Sequence, residues 1–424
     1  MEDKKISLGG NIWKLAAVDD GLADRMALAY NLPNFLARLL CVREVAFNEV
    51  NNFINPKVQN LMPDPYVLKD MKKAAERVAQ AILNNEKIAI IGDYDVDGAT
   101  STSELTRFFR AVGIKPQIHI PSREEGYGPS DLAFNEFKET ETKLVITIDC
   151  GTTAFDVLNR AAENGFEIIV IDHHEAEAKL PAVFAVINPK RLDEDNQYPY
   201  LAYMSAVGVG FMVALNRVLR NKGFYQNRQT PDLMSLLDLV ALGTVCDVVP
   251  LLGLNRAYVR QGLKVMAQQH NMGLKSLLKV SGVDSAPSAY HLGFVLGPRI
   301  NACGRVGDAS LGSRLLCTEN ETEAQMLSEK FNAFNAERKD IENYVLLQAI
   351  EQVEGKVQEY PIAFACGDDW HQGVIGIVAG KLKERYNVPA FVMSIEPDEV
   401  KGSARSIEGI DLGALIIAAK EKGV

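Results

Sequence analysis

The pattern of apolar and polar positions changes near residue 87. Before it, apolar side chains recur at helical spacing, most clearly over 23–40 and 68–83, and prolines separate these stretches. After it, short apolar runs rich in β-branched residues are separated by helix-length segments. Strands joined through helices pair in parallel, so this pattern predicts an α/β fold built on a parallel sheet.

Five apolar runs are the predicted strands of this sheet. They cover residues 88–91, 117–120, 143–148, 166–171 and 183–187.

A second β/α pattern begins near residue 360. It follows a stretch, 321–354, that contains neither Gly nor Pro and is rich in helix-forming residues, which predicts a long helix between two domains. The whole pattern therefore predicts four segments. They are a helical N-terminal segment (1–80), a first α/β domain (81–318), a connecting helix (319–356) and a smaller α/β domain (357–424).

Three carboxylates, Asp93, Asp95 and Asp97, follow directly after the first predicted strand. On an extended chain, side chains two residues apart point to the same side, so we expect the three charges to converge. Like charges repel and each loses hydration, so folding alone does not favour this arrangement. A polar loop is the simpler explanation, but a divalent cation would offset the repulsion. We therefore predict a metal site here.

Two further strands end directly in candidate ligands. Asp149 follows the run 143–148, and Asp172-His173-His174 follows the run 166–171. Sites in open parallel sheets lie beyond the carboxyl ends of the strands, so these residues are expected to lie near one another. A surface turn is the alternative for the two histidines.

Two other stretches carry candidate chemistry. Asp247 is the one charge in the apolar run 239–250, and burying a carboxylate there is costly unless it is hydrogen-bonded or metal-bound. The segment 256–314 is locally basic and presents Arg299 and Arg305 in a glycine-punctuated stretch. Surface ion pairs are the alternative explanation for these arginines.

Composition narrows the class of protein only a little. The 424 residues are 47% hydrophobic and 24% charged, typical of a globular protein of two or three domains, and no apolar run is long enough to cross a bilayer. Six scattered cysteines without a Cys-x-x-Cys pair argue against a structural zinc site and fit a cytoplasmic protein with reduced thiols. The net charge of −10 argues against a nucleic-acid partner, but an acidic metal site contributes to that sum.

Seven motifs together resemble the DHH phosphoesterase superfamily, named for a triplet such as Asp172-His-His174. Within it they are most similar to the bacterial exonucleases that degrade single-stranded DNA. The motifs occur in the family's order from residue 87 to the end, which makes the resemblance specific. They are Gly92-Asp-Tyr-Asp-Val-Asp-Gly-Ala-Thr, Glu125-Gly-Tyr-Gly, Asp149-Cys-Gly, Gly243-Thr-Val-Cys-Asp-Val-Val-Pro, Gly297-Pro-Arg-Ile-Asn-Ala-Cys-Gly-Arg, Trp370-His-Gln-Gly-Val-Ile-Gly and Gly402-Ser-Ala-Arg-Ser.

The resemblance implies a parallel-sheet DHH catalytic domain joined by a long helix to a smaller DHHA1-type domain that is only partly present. It implies 5′→3′ hydrolysis of single-stranded DNA to mononucleotides in repair and recombination, with two Mn²⁺ or Mg²⁺ ions. The implied metal ligands are Asp93, Asp95, Asp97, Asp149, His173 and Asp247, with Asp149 bridging and with Asp149, His173 and His174 catalytic. The implied contacts to DNA and its 5′ phosphate are Arg123, Tyr127, Arg299, Asn301, Arg305, Ser403 and Arg405.

The sequence departs from the family's pattern in one respect. A Gly-Gly-His stretch and an OB-type domain are expected after Gly402-Ser-Ala-Arg-Ser406, and neither is present, so we expect a fragment. Two alternative functions remain, a DHH phosphodiesterase acting on short oligonucleotides or cyclic dinucleotides and a non-catalytic replisome scaffold. The resemblance also implies a single-strand-binding protein and a helicase as partners, and no membrane.

Overall fold

A parallel sheet of order β2-β1-β3-β4-β5 lies at the centre of the larger domain in this computed structural model, which describes Ser7 and residues 12–123, 125–195 and 197–423. The β-strands are β1 Ile88–Gly92, β2 Gln117–His119, β3 Leu144–Ile148, β4 Glu167–Ile171, β5 Ala185–Ile187, β6 Ala363–Asp368, β7 Ala390–Ile395 and β8 Val400–Arg405.

The α-helices are numbered in chain order. They are α1 Asp20–Tyr30, α2 Asn34–Val42, α3 Val50–Ile54, α4 Val58–Leu61, α5 Met71–Leu83, α6 Val96–Ala111, α7 Asp131–Glu139, α8 Phe155–Glu163, α9 Phe211–Asn221, α10 Leu237–Cys246, α11 Gly253–Met266, α12 Met272–Val280, α13 Gly297–Val306, α14 Leu311–Cys317, α15 Glu321–Val353, α16 Gln372–Tyr386 and α17 Leu412–Glu421. Short 3₁₀ turns lie at Phe47–Glu49, Pro65–Val67, Pro199–Tyr203, Ala206–Gly208 and Leu233–Leu236, and a π-helical segment spans His291–Leu296.

Helices cover both faces of the central sheet. Every residue of β1 and β3 is buried, as the continuous apolar runs predict for strands of a parallel sheet. Ile88 and Ile90 pack with residues of α5, α6 and α9, whereas Ala89 and Ile91 pack with residues of α7 and α8. The predicted parallel α/β fold and its five strands are therefore confirmed, with strand ends shifted by at most two residues.

The expected geometry of the first three carboxylates is wrong. Strand β1 ends at Gly92 and α6 already begins at Val96, so the three side chains are not on an extended chain. Asp95 caps the helix by accepting a hydrogen bond from the Gly98 backbone N–H at 3.0 Å. Helix α6 therefore begins three residues after Asp93, with an aspartate as its cap.

Helix α15 joins two apolar cores. Ala324, Leu327 and Phe331 pack with α10, α12, α13 and α14, whereas Val345 and Ala349 pack with the sheet β6-β7-β8 and with α16. The predicted long helix is confirmed at Glu321–Val353. The prediction of a helical N-terminal segment matches α1 to α5, although residues 1–6 and 8–11 lie outside the described part.

Close packing of α11 on α10 fixes the position of Asp247 at the end of α10. A methyl group added at Gly262 would lie 2.0 Å from the Leu237 carbonyl oxygen and 2.5 Å from the Ala241 Cβ. Overpacking of this kind costs on the order of 1–3 kcal/mol or more.

We expect Gly262→Ala to lower the apparent Tm by several degrees, because α10 and α11 must move apart. The matched control is Gly380→Ala in α16, where the added methyl group meets nothing within 4 Å. Because alanine has the higher helix propensity, the control should raise or preserve the Tm. Thermal unfolding followed by circular dichroism measures both, and an unchanged Tm for Gly262→Ala would contradict the packing described.

Candidate metal centre

Three adjacent strands deliver their following residues to one edge of the sheet. Asp93 follows β1, Asp149 follows β3, and Asp172, His173 and His174 follow β4. Asp149 has a φ of 62°, a left-handed conformation that is uncommon for residues other than Gly and in which Asp and Asn are enriched. The chain therefore changes direction directly after the strand, and the Asp149 carboxylate faces the site.

His173 lies at the centre of this edge. Its Nε2 is 3.2 Å from Asp149 Oδ1 and 3.7 Å from Asp97 Oδ2, and its Nδ1 is 3.6 Å from Asp247 Oδ2. Asp97 comes from the first turn of α6 and Asp247 from the C-terminus of α10, so four elements meet here.

Backbone donors hold Asp97 in place. Its two carboxylate oxygens accept hydrogen bonds from the N–H groups of Ala206 and Val207 at 2.6 and 3.2 Å. Helix α10 approaches closely because Gly243 has no side chain. A methyl group there would lie 2.8 Å from Asp97 Oδ1 and 2.4 Å from Thr100 Oγ1.

The geometry of these groups suits a metal better than it suits hydrogen bonding. Asp93 Oδ1, Asp149 Oδ1, Asp247 Oδ2 and both ring nitrogens of His173 are buried without a hydrogen-bond partner among the described residues. Buried polar atoms are nearly always paired, so such a concentration of unpaired atoms is unusual. Oxygen and imidazole ligands are those that Mn²⁺ and Mg²⁺ accept. The residues present therefore fit divalent cations.

Potential ligand atoms fall into three overlapping groups, each with all its atoms within 4.8 Å of one another. The groups are Asp93, Asp95 and Asp149; Asp97, His173 and Asp247; and Asp149, His173 and His174. All of these residues except His174 (Asp93, Asp95, Asp97, Asp149, His173 and Asp247) are called the acidic cluster below. Shared members such as Asp149 are expected where two ions lie side by side.

Burial and mutual repulsion shift the proton affinities of the acidic cluster. Burial, with the neighbouring charge of Asp95, raises the pKa of Asp93 to about 7 and that of Asp247 to about 6. Burial and then the charge of the other carboxylates hold the pKa of Asp97 and Asp149 well above the usual range. Burial lowers the pKa of His173 to about 4, so its ring is neutral and able to bind a metal at neutral pH.

Asp172, to which the family resemblance assigned no role, organises the second histidine. Its carboxylate accepts hydrogen bonds from the backbone N–H groups of Thr152, His173 and His174 and contacts His174 Nδ1 at 2.7 Å. Burial raises the pKa of Asp172, but hydrogen bonds from His174 and Thr152 outweigh it and lower that pKa below its usual range. The hydrogen bond between the side chains of His174 and Asp172 raises the pKa of His174. The sequence signal that could have identified this role is the position of Asp172 directly after a predicted strand.

Tyr127 reaches the same edge from the loop before α7. Its hydroxyl donates a hydrogen bond to the Asp149 carbonyl oxygen at 3.0 Å and lies 3.3 Å from His174 Nε2. The side chain is half exposed, so a ligand beside the acidic cluster can reach it.

A cleft of about 840 Å³ lies between the two domains. Its charged lining residues are Arg123, Arg305 and Lys401 together with Asp308, Asp369, Glu396 and Glu399. Arg123 donates a hydrogen bond to the Gly304 carbonyl oxygen, and Arg305 Nη1 donates one to the Gly373 carbonyl oxygen at 2.6 Å. Burial and then the charge of Arg123 lower the pKa of Arg305. We call this space the arginine cleft.

The other predicted DNA contacts lie in two places. Ser403 and Arg405 belong to β8, the strand that carries Lys401, and Arg405 Nη1 donates a hydrogen bond to Ser403 Oγ at 3.1 Å. Arg299 and Asn301 belong to α13, as Arg305 does. Arg299 donates hydrogen bonds to the Asn332 side chain and to the Val295 carbonyl oxygen. Asn301 lines a separate cavity. The predicted set is thus distributed over more than one surface.

Comparison with known proteins agrees with this architecture. Residues 87–244 match the DHH family N-terminal domain and residues 358–423 match the DHHA1 domain. The chain is 39% identical to the single-stranded-DNA-specific exonuclease RecJ of Bacillus subtilis over 82% of this chain and 43% of that protein. It is 38% identical to RecJ of Dickeya dadantii and 36% identical to RecJ of Escherichia coli, over 90% and 91% of this chain and 67% and 68% of those proteins.

Solved structures give the same relationship. RecJ of Thermus thermophilus in complex with Mn²⁺ superposes with a TM-score of 0.79 at 28% identity, over 96% of this chain and 57% of that one. An exonuclease RecJ bound to manganese superposes with a TM-score of 0.71 at 31% identity, over 85% of this chain and 87% of that one. The chain thus spans between about two fifths and two thirds of the length of the curated relatives named here. Sequence and fold together place this chain in the RecJ family, as a protein that combines a DHH domain with a DHHA1 domain.

Proposed function

We propose that this chain is a metal-dependent exonuclease that hydrolyses single-stranded DNA from its 5′ end to mononucleotides, in DNA repair and recombination. The observation that carries this proposal is the acidic cluster, in which buried oxygen atoms of Asp93, Asp149 and Asp247 and both ring nitrogens of His173 have no hydrogen-bond partner among the described residues. The RecJ relatives are named as exonucleases specific for single-stranded DNA, and their structures hold Mn²⁺ or Mg²⁺.

The acidic cluster would hold two Mn²⁺ or Mg²⁺ ions, with Asp149 as the shared ligand. Divalent cations at such a site lower the pKa of bound water and offset the negative charge of a phosphodiester. His173 contributes a neutral nitrogen, which inclines the preference toward Mn²⁺. Because five elements (β1, β3, β4, α6 and α10) already bring the ligand atoms of each group within 4.8 Å of one another, the ligands need little rearrangement to bind.

His174 and Tyr127 would position the scissile phosphate. The hydrogen bond from His174 to Asp172 fixes the imidazole and favours its protonated form, which can donate to a phosphate oxygen. The Tyr127 ring, half exposed, would stack on the base of the terminal nucleotide.

The arginine cleft and β8 would bind the DNA backbone and its 5′ phosphate. The guanidinium groups of Arg123, Arg305 and Arg405 match the fork geometry with which arginine binds phosphate. Ser403 Oγ can donate a further hydrogen bond, and Arg299 and Asn301 extend the surface along α13. A phosphate-binding site at one end of the groove would restrict attack to a strand terminus.

The partners and location proposed from the family resemblance are a single-strand-binding protein, a helicase and the cytoplasm. None of the helices in the described residues is both long and apolar enough to cross a membrane.

A nuclease assay tests the function directly. Strands carrying a 5′ phosphate, labelled at either end, are incubated with Mn²⁺ and compared with a dinucleotide and a cyclic dinucleotide. The proposal expects mononucleotides released from the 5′ end of the long strand. Faster hydrolysis of the short substrates would indicate a small-substrate phosphodiesterase, and no metal-dependent hydrolysis of any substrate would favour a scaffold role.

Replacing the Asp149 carboxylate should change the thermal stability of the metal-free protein and its response to Mn²⁺ in opposite directions. We expect Asp149→Asn to raise the Tm of the metal-free protein, because the buried Asp149 carboxyl group must either take up a proton or repel its neighbours, and an amide does neither. Asn also tolerates the left-handed conformation at this position. Mn²⁺ should raise the Tm of the parent protein but barely change that of the variant, and the variant should release mononucleotides at least about 100-fold more slowly.

Scanning calorimetry with and without Mn²⁺ measures the thermal effects. Asp156→Asn on the exposed surface of α8 is the matched control, and it should respond to Mn²⁺ as the parent does. A normal Mn²⁺ response in Asp149→Asn would exclude the shared-ligand role.

Loss of a phosphate contact should change the salt dependence of DNA binding. We expect Arg405→Ala to weaken binding of a 5′-phosphorylated strand and to reduce the slope of log K against log salt concentration by about 0.7, since one fewer phosphate charge is neutralised. Fluorescence anisotropy at several salt concentrations measures the slope. Arg220→Ala, exposed on α9, is the control, and equal slopes for all three proteins would argue against a phosphate contact by Arg405.

A further inference from the structure

A pair of exposed aromatic rings lies at the N-terminal end of the π-helical segment, next to the acidic cluster: Tyr290 immediately precedes the segment and Phe294 belongs to it. Tyr290 and Phe294 stack with ring centroids 5.1 Å apart and planes 25° from parallel, and their side chains are 64% and 72% exposed. Burying large rings is favourable, so two stacked rings left in solvent are unusual for a folded surface. We call this pair the aromatic platform.

The segment that carries the platform packs against the end of α10. A methyl group at Gly297 would lie 2.7 Å from Cys246 Sγ, and one at Gly293 would lie 3.4 Å from Val245 Cγ1. Cys246 Sγ also contacts the Leu292 carbonyl oxygen at 3.4 Å. Since Asp247 follows Cys246 directly, the platform is fixed relative to a member of the acidic cluster. Single π-helical turns recur at functional sites.

The residue after Asp247 is held in an unfavourable conformation. Val248 has a φ of 59°, a genuine outlier for a β-branched residue, in the position where helices usually end with Gly. Its side chain is 85% exposed, so no buried contact compensates for the strain. Strain of this kind concentrates at ligand sites.

Val248, the aromatic platform and neighbouring small residues line one cavity of about 490 Å³. Its lining includes the amide of Asn301 and carries no charged side chain among the described residues. An apolar cavity with one amide group suits a flat ligand that has polar edges. A nucleobase has that chemistry, with a π face for stacking and donors and acceptors at its rim.

We propose that this cavity is a base-stacking subsite in which Tyr290 and Phe294 hold a nucleobase of the DNA strand beside the acidic cluster. This inference rests on the proposed nuclease function. A strand is the favoured occupant because the cavity is lined by Cys246 and Val248, the two chain neighbours of Asp247 in the acidic cluster. Arg299 donates a hydrogen bond to the carbonyl oxygen of Val295, the residue after Phe294, so a cation on the same stretch of chain is available to the backbone phosphate. A base stacked here is held without regard to its identity, as degradation of any sequence requires.

Fluorescent strands test the subsite. Single-stranded DNA with a 5′ phosphate and 2-aminopurine at one of the first eight positions is mixed with the protein in EDTA. Stacking quenches 2-aminopurine, so we expect quenching at one or two neighbouring positions that disappears in Tyr290→Leu and Phe294→Leu. These variants keep an apolar side chain, and each should bind the strand about 5- to 100-fold more weakly.

An abasic nucleotide at the quenched position gives the decisive comparison. The parent should lose affinity for the abasic strand by the same factor that the leucine variants lose for the intact strand, whereas the variants should lose nothing further. Tyr344→Leu, a change at a 62% exposed tyrosine on α15 outside the cavity, is the matched control and should behave as the parent.

Two kinds of failure can be told apart. Nucleotide release by the parent with Mn²⁺ is measured on the same strands. If the parent releases nucleotides but binds abasic and intact strands equally, the subsite is excluded and the nuclease function stands. If the parent neither binds nor degrades the strands, the nuclease function and the subsite both fall.

A change at Val248 provides an independent test. We expect Val248→Asn to unfold at the same or a higher temperature than the parent, because Asn tolerates the left-handed conformation. It should nevertheless reduce 2-aminopurine quenching, because it removes an apolar wall of the cavity. A lower Tm with unchanged quenching would show that Val248 serves the fold and not the subsite.

Discussion

Electrostatic repulsion among buried carboxylates is the constraint on which the rest of this structure depends. Asp93, Asp97 and Asp149 lie within one edge of the sheet, and burial prevents water from screening their charges. Protons relieve the repulsion in the metal-free chain, whereas cations relieve it when they are bound. The scaffold must therefore be stable enough to hold an unfavourable arrangement in place, and the buried parallel sheet provides that stability.

The elements around the site divide this task. The three central strands supply ligands and are buried on both faces, so their carboxyl ends cannot shift independently. Helix α10 adds Asp247 from outside the sheet and is fixed in turn by the glycine contacts with α6 and α11. Asp247 and Val248 directly follow α10. The C-terminus of this helix would therefore serve both the reaction, through Asp247, and the neighbouring cavity, through Val248. Binding of a base and assembly of the proposed metal ligands would thus depend on the same short stretch of chain.

The sequence predicted the strands, the long helix and the collection of ligands at one edge, because buried strands and strand-end residues leave strong local patterns. It did not predict that Asp95 caps a helix, since three alternating acids look the same on extended and on helical backbone. Asp172 was missed as an organising residue because its role depends on backbone N–H groups brought from Thr152. The π-helical segment left no signal in the sequence pattern, because packing against α10 sets it.

The 33 residues of α15 have a mechanical consequence for the distance between the two halves of the protein. A helix of that length extends about 50 Å, so a change of one degree in its direction displaces the far end by roughly 1 Å. Glu342, buried about two thirds of the way along α15, pairs with Arg338 of the same helix and with Lys381 of α16, which opposes such tilting. The spacing between the two walls of the arginine cleft therefore depends on the direction of one helix, which these ion pairs help to hold.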